Sequence, residues 1–360
     1  MNAQSSSPPA SPPLGIVEGY FGRPWSWEER TAVMTRLAEW DFSRFTYAPK
    51  ADVKLRRDWR HRHAAEEAAN IEAFAGACKA AGVTFGIGLS PYGLHANLTE
   101  DGLADVRRRV ADLRALGADR IAILFDDMEG DFRDLAERQA RIVEAAIAAS
   151  NGAVIAACPS YYSDDPVLDR VFGARPEKYL EDLGRIIPAD VELYWTGPEV
   201  CTFEFTPGHL NRVSAALGRK PTLWDNYPVN DGPRMSKRLH LRAVTGRAGL
   251  SGHVAAHDLN PALQPHLSLL PAATLAIAYR DGDAYDYGAA AREAAHDLYP
   301  DELAEHILET TLALQDGGID HIDRYRVEQR YGGIDHPAAE EIMRFARGDY
   351  QQTSDEVETQ

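Results

Sequence analysis

From Leu14 onward the chain alternates between short runs of aliphatic, aromatic and β-branched residues and longer stretches whose apolar positions recur every three to four residues. The short runs predict strands at residues 15–18, 45–48, 83–89, 120–125, 153–157, 192–195, 222–224 and 252–255. The longer stretches predict helices at 26–40, 64–81, 103–116, 133–149, 176–187 and 207–217. Local signals agree with these boundaries. Ser26 stands three residues before Glu29, the spacing of a capping box, and Gly82, Gly117 and Gly218 follow their helices where a C-terminal glycine is favoured. Strands alternating with helices build a parallel sheet, and eight of them predict a closed (β/α)8 TIM barrel. An open doubly wound sheet would call for a glycine-rich phosphate loop after the first strand, and no GxGxxG occurs there.

Beyond Asp281 the strand signal fades into helical, acidic sequence. The expected organisation is a disordered Pro/Ser-rich lead-in over 1–13 and a catalytic barrel over 14–282. The last barrel helix with a short helical C-terminal extension then occupies 283–348, and a polar, disordered tail 349–360.

Charge and composition narrow the function. Of 360 residues, 44% are hydrophobic and 26% charged, ordinary globular usage. The net charge of −17 repels phosphate backbones, so nucleic acid is not an expected partner. The most basic stretch, KLRRDWRHRH at 54–63, reads as a solvated segment beside a barrel loop. Three cysteines without CxxC spacing predict neither a disulfide framework nor a zinc cage, and a reducing, cytoplasmic setting fits them. The first residues lack the charged start and apolar run of a secretory signal, and no run of about 18 apolar residues predicts a membrane partner. HExxH, EF-hand, GxSxG and P-loop patterns are absent, and His61, His63, His253 and His257 do not define a metal site. No metal or cofactor is expected.

In a barrel of this kind reactive side chains come from the carboxyl ends of strands. That filter collects Glu18, Gly19 and Tyr20; Tyr47 and Lys50; Ser90 and Tyr92; Asp126 and Asp127; Tyr161 and Tyr162; Trp195 and Thr196; Trp224, Asp225 and Asn226; and His257, Asp258 and Asn260. The run RIAILFDDMEGDF is the most informative, because a continuous apolar strand ends in two adjacent carboxylates. One alternative has one Asp capping the next helix while the other faces solvent. In the other, both face the pocket, which requires the strand to have bent, since consecutive strand side chains point to opposite faces. Two carboxyls in one pocket disfavour double ionisation and supply an acid and an anion together, the equipment of glycoside cleavage. A substrate-assisted variant would have the sugar's own 2-acetamido oxygen attack the anomeric carbon. Trp224, Asp225 and Asn226 offer a flat face and polar groups for a pyranose.

At these same residues the chain resembles glycoside hydrolase family 84, the O-GlcNAcase and hyaluronidase-like β-N-acetylglucosaminidases. The ordered motifs are IVEGYFGRPWSWEER at 16–30, TYAPKAD at 46–52, LFDDMEGDF at 124–132, CPSYY at 158–162, YWTGPEV at 194–200, LWDNYPVND at 223–231 and DLNP at 258–261. The resemblance implies that Asp126 orients the acetamido group and that Asp127 is the general acid, then the general base. It implies sugar contacts from Gly19, Lys50 and Asn260, with O4 and O6 binding by Asp231. Trp224, Asn226 and Thr196 would form the acetamido pocket, and Tyr162 would donate to the acetamido oxygen. CPSYY departs from the usual PTEYC-like run, which leaves Tyr161 beside Tyr162 as a candidate for that contact. The implied substrate is a GlcNAc-bearing protein or glycoconjugate. A catalytically silent carbohydrate-binding barrel and an endo-acting hyaluronidase are the alternatives.

Overall fold

Strand alternation sends one set of side chains to the helices and the other into the barrel, and the two sets have different chemistry here. The computed structural model describes residues 11–353. Eight parallel strands, β1 (Leu14–Glu18), β2 (Phe42–Tyr47), β3 (Thr84–Leu89), β4 (Arg120–Leu124), β5 (Val154–Cys158), β6 (Glu192–Trp195), β7 (Thr222–Asp225) and β8 (Ala256–Leu259), close in sequence order, β8 pairing back onto β1. The protein is a (β/α)8 barrel. Ile16, Phe45, Phe85, Ile121, Ile123, Leu193 and Leu223 are buried on the outer side, where helices cover them. The first helix, Trp27–Ala38, begins at the expected capping box, with Ser26 and Glu29 each accepting the other's backbone N–H.

The barrel interior is polar where a stack of branched aliphatics is usual. Arg44 on β2 and Arg120 on β4 reach Glu192 Oε2 on β6, each at 2.6 Å, and Arg44 also reaches Asp258 Oδ2 on β8 at 3.3 Å. Tyr194 donates to the same Asp258 oxygen at 2.8 Å, and Arg120 donates to Tyr194 and Thr46. Two guanidinium and two carboxylate groups thus neutralise one another. Burial alone would raise the Glu192 carboxyl, but Arg120 and Arg44 hold it below its ordinary range. Room for these large side chains comes from glycine: a Cβ on Gly15 would lie 2.4 Å from Asp258 Oδ1 and one on Gly88 2.6 Å from the Ala48 Cβ.

Three expectations are corrected. The eighth strand is Ala256–Leu259 and not 252–255, because His257 and Asp258, polar enough to read as loop, are buried members of the strand. The helix after β8 is Pro265–Asp281, earlier in the chain than the stretch expected to supply it, so the helices from Tyr287 onward all lie beyond the last barrel helix. Residues 349–353 of the expected disordered tail are placed, with Tyr350 only 4% exposed. The expectations for 1–10 and 354–360 lie outside the described residues. A short helix, Pro166–Phe172, capped by Asp165, follows β5 where the sequence predicts none. The last helix, Pro337–Arg347, docks through Glu341, whose carboxylate accepts the backbone N–H groups of His266 and Leu267 at the start of Pro265–Asp281. Among the described residues no helix is long and apolar enough to cross a membrane.

Asp258→Ala leaves two buried guanidinium groups with Glu192 as their remaining carboxylate. Breaking a buried ion network from one side costs about 3–5 kcal/mol. Urea unfolding of the variant is expected to show a loss of that size, and a change below about 1 kcal/mol would mean the network is dispensable.

Candidate active site

The pocket opens at the carboxyl ends of the strands and is built around the end of β4. Side chains at 120, 122 and 124 alternate inward, and the same parity carries Asp126 into the barrel mouth. Asp127 would by that rule turn away. Instead its backbone enters the left-handed region at φ 57°, a conformation that costs a non-glycine residue roughly 1–2 kcal/mol and that Asp tolerates better than most. The bend returns Asp127 to the same cavity, and both carboxylates line it.

Their surroundings differ. Asp126 is 6% exposed; its Oδ2 accepts from the Lys50 ammonium, while its Oδ1 has no hydrogen-bond partner among the described residues. A buried carboxylate oxygen without a donor is costly, so its place in a pocket marks a position for a ligand N–H or O–H. Asp127 is half-buried, and its Oδ1 accepts from the Tyr162 hydroxyl at 3.3 Å. Burial and then the Asp126 charge raise the Asp127 carboxyl above the ordinary range, opposed by Lys50, Arg56 and the Tyr162 hydroxyl. The pair therefore divides into a carboxylate bound to a lysine and a neighbour that retains its proton to higher pH.

A second group forms the opposite wall. Trp224 Nε1 donates to Asn226 Oδ1 at 3.0 Å, and Asn260 Nδ2 donates to the same oxygen at 2.9 Å. An indole N–H can only donate, so it fixes the Asn226 amide with its oxygen inward and its Nδ2 on the Val200 carbonyl. Asn260 Oδ1 accepts the Gly19 N–H at 3.1 Å, which likewise orients the second amide. Glycine is required at 19, because a Cβ there would lie 2.1 Å from the Trp224 ring. The Trp224 ring in turn rests edge-on against Tyr194 of the interior network, centroids 5.2 Å apart. Asp231, after β7, accepts the Phe21 N–H at 2.7 Å, and burial followed by the Asp127 charge pushes its carboxyl up to about 6 despite that bond.

All the residues that the sequence assigned to catalysis and sugar binding, Gly19, Lys50, Asp126, Asp127, Tyr162, Thr196, Trp224, Asn226, Asp231 and Asn260, line this one cleft of about 550 Å³, its open mouth included. Tyr161 is turned away: fully buried, it donates to the Gly173 carbonyl at 2.8 Å. Other strand-end candidates face the outer layer. Glu18 is clamped by Arg30 through two 2.7 Å bonds, and Trp195 donates to His209. Asp225 pairs with Arg247 and with His257, whose other ring nitrogen meets Tyr279. Among the described residues no group of His, Cys, Asp and Glu is arranged to hold a metal ion.

Phe21, Val200, Cys201 and Val229, in loops, and Cys158, at the end of β5, also line the cleft, and such side chains carry no chemical signal in the sequence that marks them for a sugar site. The basic stretch 54–63 is corrected in part. Arg56 is buried, its guanidinium 5.5 Å over Phe21 and 5.2 Å over Tyr92, and its charge acts on Asp127.

Comparison with known proteins agrees with this geometry. The chain is 30% identical over 244 residues to the protein O-GlcNAcases of Mus musculus and of Rattus norvegicus; the aligned part is 65% of this chain and 26% of either relative. The chain thus spans about a quarter of the length of these relatives. A solved structure of a Thermobaculum terrenum O-GlcNAc hydrolase mutant superposes with a TM-score of 0.76 at 26% identity, covering 93% of this chain and 80% of that one. The family model of beta-N-acetylglucosaminidase (NAGidase) matches residues 14–311, from the first strand into the C-terminal helices, and by that match the chain belongs to the beta-N-acetylglucosaminidase family.

Proposed function

We propose that the protein is a retaining, exo-acting β-N-acetylglucosaminidase that removes terminal β-linked GlcNAc from serine or threonine of proteins or from a glycoconjugate, using the sugar's own acetamido group as nucleophile. The observation that carries this reading is Asp126 Oδ1, without a hydrogen-bond partner among the described residues and buried in the same cleft as a carboxyl that burial and the Asp126 charge make harder to ionise. In the proposed reaction the acetamido N–H donates to Asp126 Oδ1, and the carbonyl oxygen forms a bond to the anomeric carbon as the glycosidic bond breaks. Asp127 delivers its proton to the departing oxygen. Water then attacks the anomeric carbon of the oxazolinium, whose N–H is still held by Asp126, and breaks its bond to the acetamido oxygen; Asp127 takes the water's proton, and the acetamide is restored with the β configuration retained.

The remaining residues fit supporting roles. Lys50, which lines the cleft, offsets the Asp126 charge and would also meet the sugar. Trp224, Asn226 and Thr196 would enclose the acetamido group, and Tyr162 would move its hydroxyl bond from Asp127 to the acetamido oxygen. The second N–H of Asn260, the Gly19 carbonyl and the Asp231 carboxylate would meet sugar hydroxyls, Asp231 those at O4 and O6. The three cysteines are all free thiols, in keeping with a reducing, cytoplasmic setting.

Release of a chromogenic aglycone from an aryl β-GlcNAc glycoside is the direct test. General acid catalysis contributes a factor of about 10² to 10⁴, so Asp127→Ala is expected to lose that much on an alkyl glycoside and much less on an aryl one with an acidic leaving group. Equal losses on both, with folding intact, would remove Asp127 from the acid role. A series of N-acyl glycosides of increasing bulk should show a steep fall in kcat/KM, because an attacking amide must fold into a fitted pocket; a flat series would rule out neighbouring-group attack.

Asp231 links activity to stability. Its folded-state carboxyl, raised from 3.8 to about 6, favours the protonated form, so its stabilising contribution is full at low pH and is lost as pH rises through about 6. That difference corresponds to about 3 kcal/mol at neutral pH. Asp231→Asn is therefore expected to raise the thermal midpoint at pH 7.5 while lowering kcat/KM. It should also remove the part of the acid limb of the kcat/KM profile centred near pH 6, and an unchanged limb would show that Asp231 ionisation does not govern binding.

A further inference from the structure

Among the described residues, Gln352 of the C-terminal extension bonds to the loops that line the sugar cleft. Beyond the helix Pro337–Arg347 the chain turns at Gly348, buries Tyr350 under the Arg344 guanidinium and places Gln352 between two loops that line the cleft. Gln352 Nε2 donates to the Phe21 carbonyl at 3.0 Å, and its Oε1 accepts the Gly232 N–H at 2.9 Å. Its own backbone N–H donates to Ser236 Oγ at 3.1 Å. Phe21 and Asp231 both line the cleft, and the Phe21 N–H donates to Asp231 Oδ2 at 2.7 Å. The bonds form a closed circuit running from the Asp231 carboxylate through the Phe21 peptide and the Gln352 amide to the Gly232 N–H and back along the chain to Asp231.

The circuit has one polarity. A backbone N–H can only donate and a carbonyl can only accept, so a primary amide satisfies both ends where a carboxylate or a hydrocarbon cannot. Backbone geometry makes the approach possible. Gly22 has φ 101°, and a Cβ there would lie 2.1 Å from Gln352 Nε2, so the loop after β1 is shaped to admit this side chain.

We propose that Gln352 is a positioning residue of the sugar site, holding the Phe21 and Asp231 loops so that the Asp231 carboxylate meets the sugar's O4 and O6 hydroxyls. The inference rests on the β-N-acetylglucosaminidase reading and deepens it, because it gives the helical extension a part in recognising the far edge of the sugar. Gln352 touches no substrate. It acts through Phe21, whose N–H favours the ionised form of Asp231 against the burial that opposes it. Loosening the circuit should therefore weaken the contribution of O4 and O6 more than the chemistry at the anomeric carbon.

The test uses the full chain with Gln352→Ala, Gln352→Met, which keeps the packing volume without either hydrogen bond, and Gln352→Glu, which keeps the acceptor but sets a carboxylate against the Phe21 carbonyl. Each is assayed on an aryl β-GlcNAc glycoside and on its 4-deoxy and 6-deoxy counterparts, with thermal midpoints recorded. Loss of hydrogen bonds that position a charged group predicts about a tenfold fall in kcat/KM on the parent sugar, carried mainly by KM. A smaller fall on the deoxy sugars should shrink the preference for the parent in all three variants, including Gln352→Met at a near wild-type thermal midpoint. Variants that retain the wild-type preference, whether or not they lose overall activity, overturn the inference. A wild-type enzyme that cleaves none of the three sugars overturns the underlying sugar reading and this inference with it.

Discussion

Two adjacent carboxylates can share a pocket only if the backbone between them abandons the strand and something offsets their mutual repulsion. Both conditions are met within a few residues of the end of β4. The left-handed turn at Asp127 brings the second side chain back to the face that alternation denies it, and Lys50 from the β2 loop takes one oxygen of Asp126. Burial and the neighbouring Asp126 charge act on Asp127 in the same direction and raise its carboxyl above the ordinary range. The asymmetry of the pair follows from which carboxylate the lysine reaches.

The cleft stands on a polar support that extends through the barrel. Trp224 forms one wall and contacts Tyr194, which binds Asp258, which in turn faces Arg44 and, through Tyr194, Arg120. The wall of the cleft and the ion network in the interior are therefore one continuous packing. On the outer side of β7 and β8 a separate cluster, Asp225 with Arg247 and His257, ties the loop at Thr202 and Phe203 to the strand by two carbonyl bonds from Arg247, which also donates to the Thr245 carbonyl. That arrangement stabilises the neighbourhood of Val200 and Cys201, which line the cleft from the same loop.

Two of the contacts that couple the C-terminal helices to this frame lie beside the cleft. Glu341 accepts from the first N–H groups of the helix after β8, and Gln352 bridges the loops after β1 and β7. Both are polar contacts to backbone groups that would otherwise need water, so docking the extension satisfies the barrel's own hydrogen-bonding requirements.

By itself the sequence determined the eight-strand alternation, the capping box at Ser26, and the polar residues at strand ends that line the cleft, because periodicity and the chemistry of strand ends are local properties. Family motifs supplied Asp231 and added roles to the others. Tertiary structure alone decided which strand-end side chains face the cleft: Glu18, Asp225 and Tyr161 look as suitable as Asp126 and Tyr162 until parity and the turn at Asp127 sort them. It also decided that Asp258 and His257 belong to a strand, since a buried polar residue reads as loop until its partners on distant strands are known. Gln352 lay in a polar tail with no local signal at all. Its partners stand 116 or more positions away, and hydrogen bonds between residues so far apart leave no periodic trace along the chain.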